Sequence, residues 1–323
     1  MKSTQQTKRI GLILASLHQG SSLKLWSQLA VDAASGTDPF FIFPGGRLGK
    51  QTEADNLRNA IFNLVNTNNL DGLISWASTI GSGGSFDELR QFHSNLEPLP
   101  FVTIGQKITT KSGIEHPCTE FDGYEGMKKL VQHFIEVHKA KRIAFLHGPV
   151  SHKSAQDRYR AYLDVVTKNE YSQDTIKELV SSPFTWSEGE EAIKELVEGR
   201  GLVPGKDFDA LIASSDMMAL SASDYLEKKG YRIPQDVILG GFNDGVESKV
   251  LSSPLTTVKL PYEELGIDAN RMIHELLDGN TNVGDTTRST KLVVRESCGC
   301  NGAKTWFKNA SSNTQVIPSE EVL

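Results

Sequence analysis

The chain has 323 residues, 38% hydrophobic and 23% charged, a soluble globular composition with room for about two domains. Its formal net charge of -6 argues against a nucleic-acid-binding surface. No apolar stretch approaches the roughly 20 residues that span a bilayer. Met1 to Lys8 is polar, without the apolar run of an export signal, so the expected compartment is the cytoplasm.

In chain order, apolar runs that read as strands alternate with stretches that read as helices. Strands are expected at 9–15, 39–43, 70–76, 100–105, 141–146, 209–214, 236–242, 255–259 and 291–295. Helices are expected at 23–34, 52–68, 124–137, 155–167, 188–198, 216–229 and 263–277. Short, nearly all-apolar strands separated by amphipathic helices predict an α/β fold whose parallel sheets are covered on both faces. Residues 81–84, Gly-Ser-Gly-Gly, fit neither GxGxxG nor GxxxxGK[ST] and are expected to form a loop after a strand. The polar tail at 301–323 reads as a linker toward a further domain.

The junctions carry more information than the elements. In an open parallel sheet, ligands bind at the carboxyl ends of strands, beside the helices that follow. The segment from His147 to Tyr162 places a Gly-Pro turn, Ser154, Gln156, Asp157 and Arg158 at such a junction. Asp122 with Glu125, Ser154 with Asp157, Ser215, and Asn243–Asp244 with Glu247 each suit a helix N-cap. The same residues would line the mouth of a sheet. Arg158 is harder to read as a cap, because a cation in the first turns opposes the helix dipole. It calls for a partner, either a carboxylate such as Asp157 or Asp216 or a polar ligand gripped by its planar fork. Trp76, at a strand end, could stack on a ligand face, whereas Trp26, Phe86 and Trp186 read as core or rim.

The three cysteines include Cys298-Gly299-Cys300, which could suggest a metal clasp but reads better as two small residues ending the last strand. No second cysteine pair supplies four zinc ligands, so free thiols and no metal are expected. The eight histidines form no HExxH array. No nucleophile stands beside a base in an elbow motif, so the chain is expected not to be an enzyme and to need no cofactor.

Five segments in order resemble the effector-binding region of the LacI/GalR repressors, a type I periplasmic-binding-protein fold. They are Arg9-Ile10-Gly11-Leu12-Ile13, Phe121-Asp122-Gly123-Tyr124-Glu125-Gly126, His147-Gly148-Pro149 with Ser154-Ala155-Gln156-Asp157-Arg158, Ser214-Ser215-Asp216-Met217-Met218-Ala219-Leu220, and Gly240-Gly241-Phe242-Asn243-Asp244 with Pro254-Leu255-Thr256-Thr257-Val258. The resemblance implies two Rossmann-like lobes joined by crossovers. The first would be 8–139 plus 261–285, and the second 140–258 plus 286–300. It implies a small polar ligand, a sugar or derivative, held between the lobes.

By position, Arg158 and Asp122 match effector-contacting residues and keep the family type. Ser215 stands where the family usually has Asn, and Asn243 where it usually has Asp. Asp216 and Trp76 complete the candidate ligand-binding set. The resemblance also implies a homodimer through the first lobe. The helix at 52–68 offers Ala54, Leu57, Ile61, Leu64 and Val65 for that interface or for the core.

With the first strand near Arg9, no helix-turn-helix head is expected, and this chain alone is expected not to bind nucleic acid or membrane. The run Val293-Val294-Arg295-Glu296-Ser297-Cys298-Gly299-Cys300 resembles sensors whose output follows them: diguanylate cyclase, histidine kinase or a DNA-binding domain. A LacI-type transcription regulator with DNA contacts supplied elsewhere is the alternative. An enzyme on a nucleotide-binding α/β fold is the third reading, disfavoured by the missing glycine fingerprint.

Overall fold

The computed structural model describes residues 7–17, 22–49, 53–185, 187–249 and 251–300. The expected linker at 301–323 and Trp186 lie outside the described residues. The chain forms two compact units. Unit 1 is Met1–Phe121 with Pro261–Arg288, and unit 2 is Asp122–Leu260 with Ser289–Leu323.

In unit 1 the chain runs β1 (Ile10–Leu14), α1 (Ser22–Ser35), β2 (Phe40–Pro44), α2 (Glu53–Asn59), β3 (Gly72–Ser75), α3 (Ala77–Ile80), α4 (Phe86–Ser94), β4 (Phe101–Ile104) and β5 (Cys118–Phe121). It continues in unit 2 as α5 (Gly123–Glu136), β6 (Ile143–Leu146), α6 (Lys153–Lys168), α7 (Gln173–Leu179), α8 (Gly189–Lys194), β7 (Ala210–Ala213), α9 (Asp216–Lys228), β8 (Ile238–Gly240) and β9 (Thr257–Lys259). It returns to unit 1 as α10 (Tyr262–Leu277) and β10 (Thr286–Arg288), and re-enters unit 2 as β11 (Lys291–Val293).

The unit 1 sheet has six strands in the order β10-β5-β4-β3-β1-β2, all parallel. Every residue of β1, β3 and β4 is buried, as expected where helices cover both faces. In unit 2, β6, β7 and β8 form a parallel sheet, and β9 pairs antiparallel with β11. A parallel bridge from Gly240 to Thr256 sets the β9 segment beside β8.

Two boundaries differ from the sequence reading. Residues 122–139 were placed with the first lobe, but α5 packs on α6, β9 and β11, which belong to unit 2. Residues 286–288 were placed with the second lobe, but β10 pairs in parallel with β5. The expected helix at 52–68 also breaks. It runs to Asn59 and tightens into a 3-10 turn at Ala60–Leu64. The Asn59 side chain accepts from Gly46 N at 2.7 Å and donates to Arg47 O at 3.2 Å, fastening that point to the loop after β2. The expected loop at 81–84 begins as a 3-10 turn, Gly81–Gly83.

Candidate functional site

Parallel pairing puts the carboxyl ends of β6, β7 and β8 on one edge of unit 2. The side chains at that edge tie one strand end to the next. Ser214, just after β7, donates its hydroxyl to Leu146 O at 2.8 Å and accepts from Gly148 N at 3.1 Å. His147 N donates to Ser181 Oγ at 3.0 Å. The His147 ring lies 4.3 Å from that of Tyr159, and burial lowers its pKa against the opposing pull of Gly148 O.

Arg158 enters this edge from α6. Only 4% of it is exposed. It donates to Ser214 O at 2.5 Å and to Ser154 Oγ at 2.9 Å, and its guanidinium lies 3.9 Å from the centre of the Phe242 ring. The carboxylates proposed as its partners are engaged elsewhere: Asp157 pairs with Arg160 at 3.1 Å, and Asp216 accepts from Thr257 and Gly245. Ser154 is not the cap of α6, which begins after His152; its hydroxyl serves Arg158 instead.

Ser215 is an N-cap, its hydroxyl accepting from Met218 N at 3.2 Å. Asp216 is buried and acts as a staple. Its carboxylate accepts from Thr257 Oγ1 at 2.5 Å and Gly245 N at 2.8 Å, while its own N–H donates to Phe242 O at 2.9 Å. Burial raises its pKa to about 6, against the hydrogen bonds from Thr257 and Gly245. Asn243 and Asp244 are not helix caps. Both have positive φ, 130° and 56°, conformations that cost a non-glycine residue energy. Asn243 N donates to Val258 O at 2.9 Å, and Asp244 forms a buried ion pair with Arg295.

Asp122 caps α5, accepting from Glu125 N at 2.9 Å. Trp76 belongs to unit 1. Its ring packs on Tyr262 at 5.8 Å, and it is 4% exposed, a packing role rather than an open stacking face. The structure therefore groups Arg158, Ser215, Asp216 and Asn243 along one sheet edge and sets Asp122 at the start of α5 in the same unit.

Sequence reasoning placed Gln156 at the junction without a role and gave no role to the side chains of His147, Phe242 or Arg295. Gln156 Nε2 is buried without a hydrogen-bond partner among the described residues. Its place two residues before Arg158, near the start of α6, was the available signal. Arg295 gave none, because its partner Asp244 is 51 residues away. Elsewhere in unit 2, His133, His138, Cys298 and Cys300 present ligand atoms within 4.8 Å of one another.

An α/β chain that passes back and forth between two units, with polar side chains gathered where parallel strands end, has the architecture of a small-molecule-binding protein. Residues 131–298 match the family described as periplasmic binding protein-like domain, and the chain belongs to that family as a LacI/GalR-type sensor.

Among relatives, it is 30% identical to the HTH-type transcriptional regulator CelR of Thermobifida fusca over 182 residues, 55% of this chain and 51% of that protein. It is 29% identical to the ribose operon repressor of Bacillus subtilis over 157 residues, 49% of this chain and 45% of that protein. The chain thus spans about half the length of these relatives. The solved CelR–cellobiose complex superposes with a TM-score of 0.72 at 23% identity, covering 90% of this chain and 85% of that one. The lac repressor dimer bound to operator and the anti-inducer ONPF gives 0.70 at 21% identity, covering 91% and 95%. These likenesses show the fold. Among the described residues no helix is long and apolar enough to cross a membrane.

Proposed function

We propose that this chain is the effector-sensing part of a LacI-type transcription regulator. In this reading it is cytoplasmic and non-catalytic, binds a sugar or sugar derivative, and works with DNA contacts supplied elsewhere in the regulator. The observation that carries the reading is the carboxyl edge of the unit 2 sheet, where the Arg158 fork meets Ser154 and the Ser214 carbonyl. A planar fork suits adjacent hydroxyls, which present paired acceptors at fixed spacing. Asp122, Ser215 and Asn243 are the further candidate contacts. Asp216 holds the edge together.

The names of the relatives, transcriptional regulators and operon repressors, support DNA regulation over the cyclase or kinase output suggested by the run ending at Cys300. A bound ligand would act by its differential affinity for two conformations of the protein.

The test is a thermal-shift screen of pentoses, hexoses, disaccharides and sugar acids, followed by calorimetry. A ligand at about 100 times its Kd should add about 2.7 kcal/mol of stability. Arg158→Lys keeps the charge and loses the fork, and should weaken binding about tenfold or more. If a folded wild-type chain responds to none of these compounds, the sugar reading fails. If Arg158→Lys binds a hit with unchanged affinity, the site lies elsewhere.

A further inference from the structure

The cluster of His133, His138, Cys298 and Cys300 lies at the carboxyl end of α5, near the start of β6, the sheet edge remote from Arg158. Two separately anchored segments build it. His133 stands in the last turn of α5. The helix ends with Lys139 in the left-handed region, φ 56°, and Ala140 N bonded to Phe134 O at 3.0 Å, the closing turn that brings His138 back beside His133. The cysteine segment is fixed by Ser297. Its N–H donates to Pro254 O at 2.9 Å, and its hydroxyl donates to Leu239 O at 2.6 Å and accepts from Thr256 N at 2.8 Å. Gly299, at φ 90°, makes the reversal that turns both thiols the same way, a conformation that a side chain would strain.

The distances are those of a coordination sphere. His133 Nε2 and His138 Nε2 are 3.2 Å apart. Cys298 Sγ is 3.6 Å from His133 Nε2, and Cys300 Sγ is 3.9 Å from His133 Nε2 and 3.4 Å from His138 Nε2. A regular tetrahedron with Zn–N of about 2.0–2.1 Å and Zn–S of about 2.3 Å has N···N edges of about 3.3–3.4 Å and N···S edges of about 3.6 Å. Hydrogen bonding alone explains the arrangement less well. Thiols are weak donors, and two imidazole nitrogens facing each other can share only one proton when neutral. Both cysteines are buried, at 0% and 4% exposure.

We propose that these four side chains form a structural site for a tetrahedral divalent ion of the zinc class, with two nitrogen and two thiolate ligands. Four protein ligands leave no open position, so the site is a clamp and not a catalytic centre. It joins the end of α5 to the segment after β11, 165 residues apart in sequence at Cys298 and His133. It replaces the sequence expectation of two free thiols at 298 and 300, which rested on the lack of a second cysteine pair. The site is independent of the proposed effector contacts.

The test uses the reduced 323-residue chain. Purified without chelator, it should carry about one zinc per chain by elemental analysis. After chelation, titration with cobalt(II) should give the strong visible absorption of a tetrahedral ion and thiolate-to-cobalt charge-transfer bands. Zinc(II) should abolish both. Cys300→Ser and His138→Gln should lose the metal while keeping the far-UV circular dichroism of the parent. If a variant does not fold, the charge-transfer bands of the parent chain still report sulfur ligation. Absence of both stoichiometric zinc and a tetrahedral cobalt spectrum in the reduced parent overturns the proposal. So does a cobalt spectrum that persists in folded Cys300→Ser.

Discussion

At Asp216, burial works against the charge that two hydrogen-bond donors would favour, and burial prevails. The carboxyl pKa rises from its ordinary 3.8 to about 6. A group with a raised folded-state pKa contributes most below its unfolded pKa and loses that contribution as pH rises through the folded value. The wild-type chain should therefore lose stability from this site between about pH 4 and pH 6. Asp216→Asn cannot titrate. Its stability relative to wild type should rise across that window by at most about 3 kcal/mol. Urea unfolding of both proteins at several pH values measures this, and a flat difference would show that Asp216 ionises normally. Residue identity announced some of this edge and hid the rest. Arg158 was conspicuous because its charge opposes the helix dipole. Its actual contacts, a carbonyl at Ser214 and the ring of Phe242, come from strands that the sequence does not mark as neighbours.

Elements that bury both faces were the most readable. β1, β3, β4, β6 and β7 are short apolar runs and stand within the expected segments. β10, Thr-Thr-Arg, was not foreseen, because an edge strand needs no continuous apolar run. α4 was also missed, although Ser85 and Glu88 form a complete capping box ahead of it. Close contact between helices is equally hard to read. At Gly189, the start of α8, an added Cβ would lie 2.5 Å from the backbone of Met218 in α9. Helix propensity alone predicts that Gly189→Ala stabilises by up to about 1 kcal/mol. The packing predicts the opposite sign, a loss of about 1–3 kcal/mol, because backbone cannot rotate aside. The midpoint of a denaturant titration decides between them. The Cys and His clamp escaped the sequence for a related reason, since its two halves meet only in the fold.

For the whole molecule, the exposed apolar residues of unit 1 bear on assembly. In the segment proposed as core or interface, Val65 is 5% exposed and packs in the core, whereas Leu57 and Leu64 are 73% and 53% exposed. We expect those two side chains to help form a homodimer. Sedimentation should show dimer at about ten micromolar, a concentration well above a submicromolar Kd, and Leu57→Glu with Leu64→Glu should shift it to monomer. A wild-type chain that stays monomeric at that concentration refutes this.

The path of the chain also sets how the molecule comes apart. It leaves unit 1 at Phe121, returns at Pro261 and leaves again after Arg288, so each unit is assembled from two stretches of sequence. Neither can be excised as one continuous peptide. A fragment ending at Leu260 would keep β1 to β5 yet lack α10, which packs on α1, and β10, which completes the sheet. A protease cut at a single crossing would leave every piece still non-covalently held by its own unit and tied by the two remaining crossings. Nicked protein should therefore migrate as intact chain under native conditions and separate only when denatured.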